Sequence, residues 1–155
     1  MAYVEGQLVH DADSHIMEAP DFLDGFVESR YADAVRAADW YRGPRGLLAQ
    51  SSERMRAKHD DPAWRAAGAE QIMLRKNYDA LGAWRREDRG RALDHLGFRS
   101  QLVFPTWFLS LNNLEYGQDL GLAHAVARAF NRAMVAFCSI DRRMLSACYV
   151  PLADF

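Results

Sequence analysis

Apolar positions along the chain form two kinds of cluster: short unbroken runs, and stripes at helical spacing. The first run lies in "GQLVHDAD". It predicts a strand from about Gln7 to Asp13, closed by polar residues. "APDFLDGFVESRY" follows, with Phe22, Leu23, Phe26 and Val27 on one helical face. Pro20 suits a first turn and Asp21 complements a helix N-terminus, so a helix is predicted there. Residues 40–86 lose this rhythm. They are rich in Gly, Arg and Ser and predict an excursion with short helices. "DDPAW" carries a start signal, with Asp61 as cap and Pro62 at the first position.

Regularity returns at "REDRGRALDHLGF". Glu87 and Asp88 open a helix, Ala92, Leu93 and Leu96 form its buried stripe, and Gly97 closes it in the left-handed role. "RSQLVFPTW" predicts a second strand ending at Phe104, because Pro105 cannot continue a ladder. In "GLAHAVARAFNRAMVAFCSID", Ala123, Val126, Ala127, Phe130, Met134 and Phe137 share a helical face, with His124, Arg128 and Arg132 on the other side. "MLSACYVP" predicts a third strand.

Unalternating apolar strands separated by helices imply parallel pairing with helices covering the faces. The expected class is α/β, with three parallel strands and their covering helices. Three strands alone leave apolar edges. Residues 1–155 therefore read as one incomplete domain, the front portion of a larger fold, with 40–86 as an insertion between the first and second strands.

Half of the residues are apolar, with 8 Phe, 6 Tyr and 4 Trp, enough for a globular core. The 19 basic and 21 acidic residues nearly balance, which argues against nucleic-acid and membrane-surface partners. No apolar run approaches the roughly 20 residues that cross a bilayer, and "MAYVEGQ" lacks the features of a signal peptide. Cys138 and Cys148 lie in apolar segments and read as buried thiols of a cytoplasmic protein.

The densest chemistry lies in "LVHDADSHIMEAPDFL". If the segment is extended, Asp11, Asp13 and His15 point one way and His10 points away from both acids. Asp13 and His15 then stand about 7 Å apart along the strand, close enough to converge on one ion. A carboxylate and an imidazole suit Zn²⁺, Mn²⁺ or Fe²⁺. Acids in this place also serve as caps of a following helix. Asp11, deeper in the strand, suits a supporting or structural role. Glu18 and Asp21 fit either a helix start or the site, Asp21 better the former.

"VHDADSHIMEAPDFL" resembles the opening motif of the amidohydrolase-related family, which includes aminocarboxymuconate-semialdehyde decarboxylase and related aromatic-acid decarboxylases. The matching series is Asp11, Asp13, His15, Glu18 and Pro20. "RALDHLGFRSQLVFPTW" resembles that family's second strand with its leading helix, and "VARAFNRAMVAFCSIDRRMLSACYVPLAD" its later helix, turn and strand. The resemblance implies the N-terminal part of a metal-dependent (β/α)₈ barrel. It implies metal ligands at Asp13 and His15, with Asp11, Glu18 and Trp107 supporting or lining the site. The implied cofactor is a divalent ion, Zn²⁺ or Mn²⁺. The implied activity is hydrolysis or non-oxidative decarboxylation of a small carboxylic acid, aromatic or unsaturated. The family's further ligands and its proton-transfer His come from later strands. No catalytic residue is therefore expected within 1–155, and the chain alone is expected to be inactive.

Phe104 to Trp107 follow the second strand. Trp107 or Phe108 either lines a substrate pocket or packs in a loop. Arg142 and Arg143 read as a solvated turn. Two other readings compete. "DAD" also resembles the Asp-x-Asp motif of haloacid-dehalogenase-like phosphohydrolases, with Thr106 after the second strand. However, Lys58 and Lys76 both precede that strand, against the order that family needs. The third reading is a non-catalytic module whose open sheet pairs with a second copy or a complementing chain.

Overall fold

The computed structural model describes residues 2–37 and 47–152. Residues 40–46 of the expected excursion lie outside that range. The chain is α/β. Strands β1 (His10–His15), β2 (Ser100–Phe104) and β3 (Met144–Ser146) form one sheet in the order β1-β2-β3, all parallel. The described α-helices are α1 (Ala32–Ala37), α2 (Leu47–Asp60), α3 (Pro62–Ala66), α4 (Arg86–Leu96) and α5 (Leu120–Cys138).

The long helices follow their local signals. In α4, Glu87 and Asp88 occupy the first turn, and Gly97 ends the helix at φ 77°. A Cβ on Gly97 would lie 2.2 Å from the Val4 carbonyl oxygen, because the N-terminal segment runs close by. There the Tyr3 and Val4 N–H groups bond the His95 and Leu96 carbonyls. Asp119 caps α5, accepting from the Leu122 N–H at 2.9 Å. Asp61 caps α3 through the Ala63 N–H. The α5 stripe is buried throughout as expected.

The segment after β1 departs from expectation. Residues 20–26 form successive tight turns rather than a helix, with a 3₁₀ turn at Ser29–Tyr31 before α1. Phe22, Asp24 and Phe26 each donate to the carbonyl three residues back, and Gly25 takes φ 79°. A left-handed residue there stops helix propagation. The apolar spacing nonetheless works in this form. Leu23 is fully buried, and Phe22, Phe26 and Val27 pack beside it.

One face of the sheet is covered. Val103 and Met144 meet Leu93 of α4 and Phe130, Met134 and Phe137 of α5, with Ile16 just past β1. Each large side chain buried in this way contributes roughly 1.5–3 kcal/mol. The register assigns Ser100, Leu102, Phe104, Leu145, His10 and His15 to the opposite face. On that face His10 and His15 are exposed and Leu145 is 58 % exposed.

Between β1 and β2, a second small core gathers Met17, Tyr78 and Ala83 with Met55, Ala80 and Trp84. His59 is fully buried there, its ring against Trp64 and Trp84, and burial holds its pKa below the ordinary value. Asp88 is also buried and takes a two-pronged bond from Arg65, tying α3 to α4.

Two smaller readings are corrected. Cys138 is buried and its thiol is pushed up to about 11, but Cys148 is exposed because β3 ends before it. Arg143 is not simply solvated. It pairs with Asp141 and Asp94 and donates to the Gly90 carbonyl, locking the turn onto α4. Among the described residues, no helix is long and apolar enough to cross a membrane.

Candidate functional site

The end of β1 is shaped by a bulge. Asp11 faces Gln101 and Ser14 faces Val103, so β1 carries one extra residue between those pairs. Asp11 Oδ1 accepts from the Asp13 N–H at 3.0 Å, a local turn that stabilises the bulge. The extra residue reverses the alternation. Asp11 lies on the helix-covered face, while His15 lies on the open one with His10. The expectation that Asp11, Asp13 and His15 share a direction therefore fails for Asp11. His10 points away from Asp11 as expected, and does so toward the open face. Its Nδ1 lies 2.7 Å from Ser100 Oγ on the open face.

Asp13 and His15 do converge. His15 Nε2 lies 3.3 Å from Asp13 Oδ1, with the side chains 39 % and 89 % exposed. An exposed pair of this kind adds at most about 1 kcal/mol to stability.

The other ring nitrogen of His15 faces Thr106. Thr106 Oγ1 donates its single proton to the Ile16 carbonyl at 2.7 Å. It lies 3.3 Å from His15 Nδ1, and there it can only accept. Neutral His15 can donate from Nδ1 to Thr106 Oγ1 or from Nε2 to Asp13 Oδ1, and the charge-assisted bond to the carboxylate is the stronger of the two. Holding one ring nitrogen through a hydrogen bond while the other stays open is how proteins orient a ligating histidine. The donor set of one oxygen and one imidazole nitrogen fits Zn²⁺ or Mn²⁺. Among the described residues, no third His, Cys, Asp or Glu joins the pair.

Glu18 is neither exposed nor at the pair. It is buried, and its carboxylate accepts from the N–H groups of Thr106, Trp107 and Phe108 at 3.0 to 3.2 Å. It thus caps the 3₁₀ segment Trp107–Tyr116 that follows β2. Burial pushes its pKa up against the pull of those N–H groups. Through Thr106, Glu18 fixes the group that orients His15. Its own carbonyl accepts from the Tyr78 hydroxyl at 2.7 Å.

Trp107 is 37 % exposed, and its side chain bonds to Tyr78, whose hydroxyl is pushed up to about 12 by burial. Phe108 is buried. It packs in the core between Phe22 and Phe130.

Behind the bulge lies a buried polar relay. Arg89 is 6 % exposed and donates to Gln101 Oε1, the Gly82 carbonyl and Ser14 Oγ. Gln101 passes the contact on, donating to Asp11 Oδ2 at 3.1 Å. Asp11 thus supports the backbone of Asp13 rather than the ion position.

Thr106, Gln101 and Arg89 were not assigned these roles from sequence. The spacing from Thr106 to His15 is 91 residues, so only strand pairing reveals it. Comparison of the chain with family models, curated proteins and solved structures yields no significant match.

Proposed function

We propose that Asp13 and His15 are first-strand ligands of a divalent-metal centre in a hydrolase or non-oxidative decarboxylase acting on a small carboxylic acid. The observation that carries this reading is the convergence of His15 Nε2 and Asp13 Oδ1, 3.3 Å apart, with Thr106 Oγ1 beside the other ring nitrogen. The open sheet face supports it. Leu102, Phe104 and Leu145 are apolar on the side of the sheet that a (β/α)₈ barrel would enclose, and the pair stands at the strand end where such barrels hold their sites.

When bound, Zn²⁺ or Mn²⁺ would polarise a substrate oxygen or acidify a water. Asp13 and His15 would hold the ion, Thr106 would accept from the Nδ1–H of the ligating ring, and Asp11 would fix the Asp13 backbone. A catalytic zinc ion usually takes three protein ligands. The remaining donors in this reading come from groups outside the described residues, on this protein or a complementing chain. A phosphohydrolase using Asp11 and Asp13 together is less well supported. The bulge separates their faces, and the Thr106 hydroxyl is already engaged by Ile16.

Metal content after loading with Zn²⁺ or Mn²⁺ and desalting tests the proposal. Asp13→Ala and His15→Ala should each lower bound metal at least tenfold in affinity. Unchanged stoichiometry and affinity in both variants would overturn it.

A further inference from the structure

His59 is fully buried, and its two ring nitrogens are served unequally. Nε2 lies 2.9 Å from the Tyr78 carbonyl, which can only accept, so the neutral ring carries its proton there. Nδ1 has no hydrogen-bond partner among the described residues. The ring packs against Trp64 and Trp84, at centroid distances of 4.1 and 5.1 Å. Both indoles already carry guanidiniums. Arg75 stands 3.8 Å from the Trp64 centroid, and Arg56 and Arg85 each stand 5.2 Å from that of Trp84. Asp60, Arg65, Arg85, Glu87 and Asp88 line the opening beside His59, and Asp79 follows Tyr78. Each of these carboxylates has a basic partner: Asp60 with Arg85, Asp79 with Lys58, Glu87 with Arg86 and Asp88 with Arg65. A second ring proton therefore places an N–H without an acceptor among guanidiniums. The attraction of Asp88 and Asp79 is smaller than the lost hydration, so the ring's pKa lies below its ordinary value.

The ring sits where the excursion is fastened to the end of β1. The Tyr78 carbonyl accepts from both His59 and the Trp84 indole, and the Tyr78 hydroxyl donates to the Glu18 carbonyl at 2.7 Å. The Met17 N–H donates to the Ala83 carbonyl at 2.7 Å. Met17, Tyr78 and Ala83 belong to a small core of their own, separate from the one that α5 packs on the sheet. The segment that holds His59 can therefore loosen while the main core stays folded.

We propose that His59 is an acid-sensitive latch: protonation of its ring releases the segment from α2 to Trp84 from the backbone just past β1. The latch needs no metal ion and stands apart from the reading of Asp13 and His15. Because burial depresses the ring's pKa, the closed form is fully stable above the ordinary value of 6.5 and weakens as pH falls below it. Well below 6.5, each further pH unit raises the open population about tenfold while only the open form binds the proton. Glu18, the buried acid at the same junction, has a raised pKa and titrates with the opposite sign, so it does not produce this loss.

Hydrogen exchange of the full protein at pH 7.5, 6.5 and 5.5, corrected for the intrinsic rate at each pH and followed by mass spectrometry, tests this. Protection of peptides within 53–84 should fall about fivefold between pH 6.5 and 5.5, the first part of that slope, while α5 keeps its protection. His59→Gln retains an N–H for the Tyr78 carbonyl without a titrating ring, and should show no such fall. An NMR titration of the wild-type His59 ring needs no variant and should give a midpoint below 6.5. Constant protection of 53–84 in wild type, an equal fall in α5, the same fall in His59→Gln, or a ring midpoint at or above 6.5 would each overturn the proposal.

Discussion

Replacing Glu18 with Ala should unfold the protein more easily by about 3 kcal/mol, estimated as roughly 1 kcal/mol for each backbone donor left without its partner. Three N–H groups, those of Thr106, Trp107 and Phe108, now end on the Glu18 carboxylate at the start of a 3₁₀ segment. The site is buried, so water does not readily replace the lost acceptor. The estimate sits at the low end of the unsatisfied-donor range because removing the carboxylate also relieves its desolvation. With a urea slope of about 2 kcal/mol per molar, the midpoint should fall by about 1.5 M. Glu18→Gln keeps one acceptor oxygen and should lose about half as much. The pH dependence adds a signature. Burial raises the Glu18 pKa above its ordinary value of 4.5, so the proton-linked part of its contribution is fully present below that value and is lost as pH rises through the folded-state pKa, while the cap bonds remain. The advantage of wild type over Glu18→Gln should therefore widen on acidification from neutrality. Urea titration followed by circular dichroism at several pH values measures both effects. A Glu18→Ala protein within 0.5 kcal/mol of wild type would show that the cap contributes nothing, well outside the expected loss of about 3 kcal/mol.

Two further outcomes follow from the charge and thiol environments. Arg143 holds the Asp141 carboxyl below its ordinary value of 3.8, so the pair stabilises the fold above that value and the contribution disappears as pH falls through the folded-state pKa. The melting temperature of wild type should exceed that of Asp141→Asn at pH 6 and match it near pH 2; a constant difference would refute the pairing. At pH 8 a thiol reagent should modify exposed Cys148 within minutes and reach buried Cys138, with its raised pKa, only under denaturant. Equal labelling rates for the two would place Cys138 at the surface.

The sequence by itself determined the elements whose signals are local. Gly97, Pro105, Asp61 and the α5 stripe act within a few residues, through backbone geometry, capping and helical periodicity, so α4, the end of β2, α3 and α5 fall where expected. The α/β class with parallel strands follows from their order. The nearness of Asp13 and His15 was legible too, because two residues on one short segment cannot separate far. Only the tertiary structure decided which face each side chain takes. One extra residue in β1, set by pairing with a strand some 90 positions away, put Asp11 and His15 on opposite faces of the sheet. The same pairing brought Thr106 to His15 and set Glu18 against the N–H groups beyond β2. Turns rather than a helix buried Phe22 and Leu23, since Gly25 could adopt the left-handed conformation and the core accepted the same side chains either way. Register, bulges and buried polar partners depend on contacts distant in the chain, which the period of apolar residues does not record.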